Sequence, residues 1–242
     1  MSSHTDSSPV LTHFIRPEYL ITLLQTQAFH LVRLDCQCDP ADGKLPSANF
    51  ADPLLGAIER DLGATAEFLK NQAHAIEHGR NRTFIMSWTL DASPHMQQVY
   101  GEDGRRCALG ISALELKILV GYEWILDAEF PPKRRVVTEI PGAYASVQLI
   151  EATYTDHSSA VPVVPSYFAL GHKHQDFARE AEIRVHAFLG PDSIAPDPGI
   201  RTIRWALRAF HGISITLGAK VPAADAGIIE KLAAGAGIAV SH

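Results

Sequence analysis

Between Leu11 and Val240 the chain alternates short apolar runs with segments of helical period, without internal repeats and without a linker long enough to separate one domain from another. Strand-like and helix-like stretches that take turns this way must cover one another. The pattern predicts an α/β (mixed α+β) fold: one domain over residues 11–242, a central mixed or antiparallel sheet with flanking helices, after a flexible N-terminus at residues 1–10.

The elements follow from local chemistry. Leu11–Ile15 reads as a strand, and Pro17 opens a helix to about Gln27, because proline is tolerated in a first turn and Leu20, Ile21, Leu23 and Leu24 share a face. Phe29–Leu34 alternates as a strand, Cys36–Asn49 is loop, and Pro53–Glu77 is helical with a break near Gly63. Strands are expected at Thr83–Trp88, Arg106–Ile111 and Tyr144–Tyr154, with a loop or short helix at Asp91–Tyr100, a turn at Glu102-Asp103-Gly104 and a helix at Ala113–Trp124. Asp156–Pro165 and Pro191–Pro198 are loops, and Phe177–Phe188 is a helical turn passing into a strand. A helix is expected at Thr202–Phe210. The end reads as strand Ile213–Leu217, helix Ala223–Ala234 and strand Gly237–Val240.

The chain has 242 residues, 46% hydrophobic and 20% charged, which excludes a disordered, collagen-like, coiled-coil or disulfide-scaffold protein. Its 21 basic and 27 acidic residues leave a net charge of −6, which argues against duplex nucleic acid as the main partner. Any nucleic-acid contact needs a local basic groove, for which Arg33, Arg82, Arg105, Arg106 and Lys173 are the candidates. The cysteines Cys36, Cys38 and Cys107, the lack of a secretory leader and of any run of about 18 apolar residues lead to the expectation of a reduced, cytoplasmic protein with no membrane partner.

Several stretches invite chemistry. Ala234-Gly235-Ala236-Gly237 lies too late for a dinucleotide fingerprint and reads as a helix end followed by a turn. His172-x-His174 and Cys36-x-Cys38 could each offer two ligands from one strand face. A solvated loop and two small thiols explain them as well, and no metal is expected. The most informative stretch is Gly171–Val185. On an extended chain Glu180, Glu182 and Arg184 point to one face and could line a cleft; on a helix Glu180 and Arg184 are a plain ion pair. Ser87-Trp88-Thr89 leads into a loop with His95, Met96 and Tyr100, aromatics that either stack on a ligand ring or fill the core. His13 sits inside an apolar run, as a core residue or a functional one.

Taken together, these stretches resemble a bacterial family known as domain of unknown function 2971. The likeness runs through Thr12-His13-Phe14 with Leu20 and Leu24, Cys38-Asp39-Pro40-Ala41-Asp42, Ser87-Trp88-Thr89, Met96-Gln97-Gln98-Val99-Tyr100 and Arg105–Ile111. It is densest at Lys173-His174, Phe177 and Glu180-x-Glu182-x-Arg184, and it closes on Ile213–Val240. Cys38, Ala41 and Gln97 depart from the family's pattern.

The layout also resembles ADP-ribosyltransferases, above all those that modify nucleic acid. That resemblance implies NAD as co-substrate and a nucleic acid or protein as acceptor. His13 would contact a ribose hydroxyl, and Tyr100 or Trp88 would stack on nicotinamide. Arg33 or Arg184 would meet the pyrophosphate. Glu182, with Glu180, would stabilise the oxocarbenium-like charge as nicotinamide leaves. Two alternatives use the same residues. One is a non-catalytic small-molecule or peptide binding module, whose charged strand forms an ion-pair network. The other is a Mg²⁺-dependent nuclease built on Asp39, Glu180 and Glu182 with Lys173, against which Arg184 would repel the metal.

Overall fold

The computed structural model describes residues 8–37, 79–90, 93–126, 145–155, 171–189, 201–206 and 212–242. The expected helix Pro53–Glu77, the loops Asp156–Pro165 and Pro191–Pro198, and most of the loop Cys36–Asn49 lie outside them. Mixed, largely antiparallel β-sheet with flanking helices makes this an α/β fold. The chain divides into two compact units, the first comprising residues 1–30, 87–132 and 204–242, the second residues 31–86 and 133–203.

In the first unit β1 (Val10–Ile15) pairs antiparallel with β4 (Cys107–Ser112), from Val10 opposite Ser112 to Ile15 opposite Cys107. β1 also meets the end of β3 (Thr83–Thr89), with Thr12 opposite Thr89. On the far side of β4 lies β10 (Ser214–Thr216), followed by β11 (Ala239–Ser241), which runs parallel to it. The parallel pair needs a crossover, and α4 (Ala223–Gly235) supplies it. Helix α1 (Pro17–Thr26) starts on its proline, buries Leu20, Leu23 and Leu24, and packs against α4. Gly237, at φ 71°, turns the chain out of α4 as the glycine-bearing end predicts.

Between these strands lie α2 (Pro94–Val99), capped by the Ser93 hydroxyl, and α3 (Ala113–Leu126). Ser112 caps α3: its hydroxyl accepts from the Glu115 N–H at 3.1 Å and donates to the Glu115 carboxylate at 2.9 Å. Pro9 and Ser8 are tied to the same helix start through the N–H groups of Ala113 and Leu114, at 2.8 and 3.0 Å.

The second unit holds the end of β2 (Ala28–Arg33), from Leu31 on, which pairs with β3 through Val32 opposite Ile85 and Arg33 opposite Phe84. It also holds β5 (Ala145–Glu151), β6 (Thr153–Thr155), β7 (His172–His174) and β8 (Glu182–Leu189). β8 lies between β5 and β3, and β6 pairs in parallel with β7.

Two expectations change. The described part of the expected helix Thr202–Phe210 is a strand: Thr202–Ala206 forms β9, in which buried Ile203 and Trp205 alternate with Thr202 and Arg204, the two-residue period of a strand. Tyr144–Tyr154 divides at Ala152 into β5 and β6. Of the two readings of the His-Lys-His stretch, strand and loop, the strand is the one observed. Among the described residues no helix is long and apolar enough to cross a membrane.

Candidate functional site

The 3-10 turn Gln175–Glu180 follows β7 directly, and the His174 ring caps it by accepting from the Asp176 N–H at 3.3 Å. It ends on Ala181, whose φ of 42° is left-handed and breaks the extended run. Glu180 therefore belongs to the turn, not to the strand, and only Glu182 and Arg184 of the expected row share a strand face. The next residues on that face are His186 and Phe188.

Lys173, from β7, reaches this face. Its ammonium is hydrogen-bonded to the Glu180 carboxylate and lies 3.1 Å from Glu182 Oε2. Arg184 Nη2 donates to the same oxygen at 3.0 Å. Two cations and two carboxylates thus balance, and all four residues are buried, Arg184 with 0% exposure. The Lys173 ammonium also stands 4.8 Å from the centre of the Phe177 ring. The Glu182 N–H donates to the Tyr154 hydroxyl at 2.8 Å. Burial, reinforced by the negative charges of Glu182 and Glu180, pushes the Tyr154 phenol up to about 12, so it stays protonated at neutral pH.

His186 extends the row inward. It is fully buried, and neither ring nitrogen has a hydrogen-bond partner among the described residues. Burial, together with the positive charge of Arg184, brings its pKa down to about 3, which leaves the imidazole neutral. Its ring lies 5.5 Å from that of Phe188, which packs on Leu34 and Ile85.

The remaining expected residues separate by unit. In the first, His13 Nδ1 lies 2.7 Å from the Ser87 carbonyl oxygen. A carbonyl only accepts, so Nδ1 carries a hydrogen and the ring orientation is fixed. The His13 ring is 5.5 Å from Trp88, whose other neighbour Phe29 approaches edge-on at 5.8 Å. Trp88 is 1% exposed, so as placed its ring fills the core. Tyr100 is half-buried at the end of α2, its N–H donating to the Met96 carbonyl at 2.8 Å. In the second unit, buried Arg33 donates through Nε to Asp35 at 2.6 Å; burial is the largest single influence and opposes its charge, but the hydrogen bond and charge of Asp35, with Cys36, together raise the pKa.

The structure therefore brings Glu180, Glu182 and Arg184 together through Lys173, and His13 together with Trp88. Of the cations expected to line a basic groove, Arg33, Lys173 and Arg106 each hold a carboxylate, the last that of Glu102; Arg105 is exposed and Arg82 half-buried. Among the described residues no three His, Cys, Asp or Glu side chains form a group able to hold a metal. Cys36 and Cys107 are free thiols, while Cys38 and Asp39 lie outside the described residues. Tyr154, Phe177 and His186 have no role assigned by the sequence reading. For His186 the signal is present, since it is the next residue after Arg184 on a two-residue period.

No protein-family model matches the chain, and no curated protein or solved structure matches it either.

Proposed function

We propose that this is a binding protein, in which the row formed by Lys173, Glu180, Glu182 and Arg184 recognises a small polar molecule or a peptide group without turnover. The observation that carries this reading is the double hold on Glu182 Oε2 by Lys173 and Arg184. A carboxylate that stabilises an oxocarbenium-like charge works through a field not already spent on neighbours. One neutralised by two cations contributes little of that field. What it supplies instead is a fixed, dry array of donors and acceptors, the kind of group that orients a ligand.

The test is a thermal-shift screen over polar metabolites and short peptides, with NAD turnover followed in parallel. A ligand that raises the melting temperature without being consumed supports the reading. Consumption of NAD that Glu182→Gln abolishes overturns it.

An ADP-ribosyltransferase reading, with NAD as co-substrate, draws on a different observation, the hydrogen bond from His13 Nδ1 to the Ser87 carbonyl. That hydrogen bond orients the ring, as contact with a ribose hydroxyl requires. Transfer of label from radiolabelled NAD to nucleic acid or protein, lost in His13→Ala, is its expected result. Absence of labelling removes it.

A further inference from the structure

The first unit carries a second charged cluster of opposite character. Ile15 lies opposite Cys107 and Thr216 opposite Ala108, so the chain leaves β1, enters β4 and leaves β10 at one end of the sheet. Those three connections bring Arg16, the segment Glu102–Arg106 and Lys220 together. Arg106 is hydrogen-bonded to Glu102, Arg16 Nη2 lies 3.9 Å from the same carboxylate, and the Lys220 ammonium is bonded to Asp103. The hydrogen bond from Arg106 holds the Glu102 carboxyl below its ordinary pKa; that from Lys220 does the same for Asp103, and Arg105 adds its field to both.

The loops are fixed against each other. Lys220 N–H donates to the Gly104 carbonyl at 2.8 Å. A Cβ on Gly218 would stand 2.2 Å from the Arg106 carbonyl oxygen and 2.3 Å from that of Gly104, so only glycine permits this approach. Glu102, Asp103 and Gly104 are consecutive left-handed residues, at φ 47°, 55° and 85°, a costly conformation that turns the segment toward Lys220.

Four cations thus surround two carboxylates, an excess of two positive charges on a chain whose net charge is −6. Arg16 and Lys220 are 51% and 55% exposed, and Arg106 Nε has no hydrogen-bond partner among the described residues. Exposed ion pairs are weak, typically below about 1 kcal/mol, so a stronger anion displaces them at little cost. A phosphate monoester carries about −1.5 to −2 charges and three acceptor oxygens, matching the excess. Arginine forks are suited to it.

We propose that the loop cluster of Arg16, Arg105, Arg106 and Lys220 binds the phosphate group of a small phosphorylated molecule. The experiment is calorimetric titration of the whole chain at low ionic strength with inorganic phosphate, pyrophosphate, adenosine monophosphate, adenosine and a single-stranded oligonucleotide. Binding of pyrophosphate and adenosine monophosphate, but not adenosine, is expected. Arg105→Gln with Lys220→Gln should weaken it by roughly tenfold or more, while Lys220→Arg retains it. Both variants should keep the wild-type melting temperature. Failure of every phosphate compound to bind, unchanged affinity in the double variant, or binding of the oligonucleotide alone overturns the assignment.

Discussion

The two charged clusters differ in burial and in balance, and the two properties go together. On β8 of the second unit, Lys173, Glu180, Glu182 and Arg184 are buried and sum to zero. On the loops of the first unit, Arg16, Arg105, Arg106 and Lys220 outnumber Glu102 and Asp103; Arg106 is half-buried and the other three cations are exposed. Desolvation forces the first arrangement, since an unmatched ion in a dry interior costs several kcal/mol. Water tolerates the second, because screening makes excess charge cheap. Charge in the interior is therefore held in one geometry by its neighbours, while charge on the loops can rearrange in water.

The largest effect expected from this contrast is in the buried row. Arg184→Met leaves two buried carboxylates sharing the single cation Lys173 and should destabilise the fold by about 3–5 kcal/mol in urea unfolding. Replacing Lys173, Glu180, Glu182 and Arg184 together by apolar residues of similar volume should recover most of that loss. A small loss in the single variant would mean that the row is not closed to water.

The next largest concerns His186. The unfolded chain takes up a proton near pH 6.5, whereas the folded one resists until about pH 3, so the unfolded state binds more protons between these values. Stability is complete above about pH 6.5 and falls as pH drops toward 3, by about 1.4 kcal/mol for each unit well inside that window. In His186→Phe this stretch of the acid limb should flatten. An unchanged slope across that range would show that His186 is already paired or hydrated in the folded state.

Smaller again is Ser112→Ala at the start of α3, expected to cost about 1 kcal/mol through loss of the cap. Smallest is Lys220→Gln in the loop cluster, which should leave the melting temperature where it was. A shift as large as that of Arg184→Met would erase the distinction between the two clusters.

The same physics decides what the sequence conveys. β1, α1, β2, β3 and the β10–α4–β11 ending follow from periods set by local sterics and burial on one face, and all are expected from it. β9 reads as a helix because Thr202–Ala206 is followed by residues that extend an apparent helical pattern, while the alternation of Ile203 and Trp205 acts over only two turns of the pleat. The residues of the Glu-x-Glu-x-Arg stretch do lie in one charged cluster. Their spacing does not reveal that Ala181 takes Glu180 off the strand, since a left-handed alanine has no local signature. Nor can spacing show that Lys173 neutralises both carboxylates, a contact set by the placement of β7.

Central to the contrast is the proposal that Glu182 is held by its neighbours and takes no part in turnover. NAD consumption by wild type and by Glu182→Gln, measured with nucleic acid and protein acceptors present, tests this directly. The prediction is no consumption above background by either protein; robust consumption by wild type, lost in folded Glu182→Gln, would contradict it.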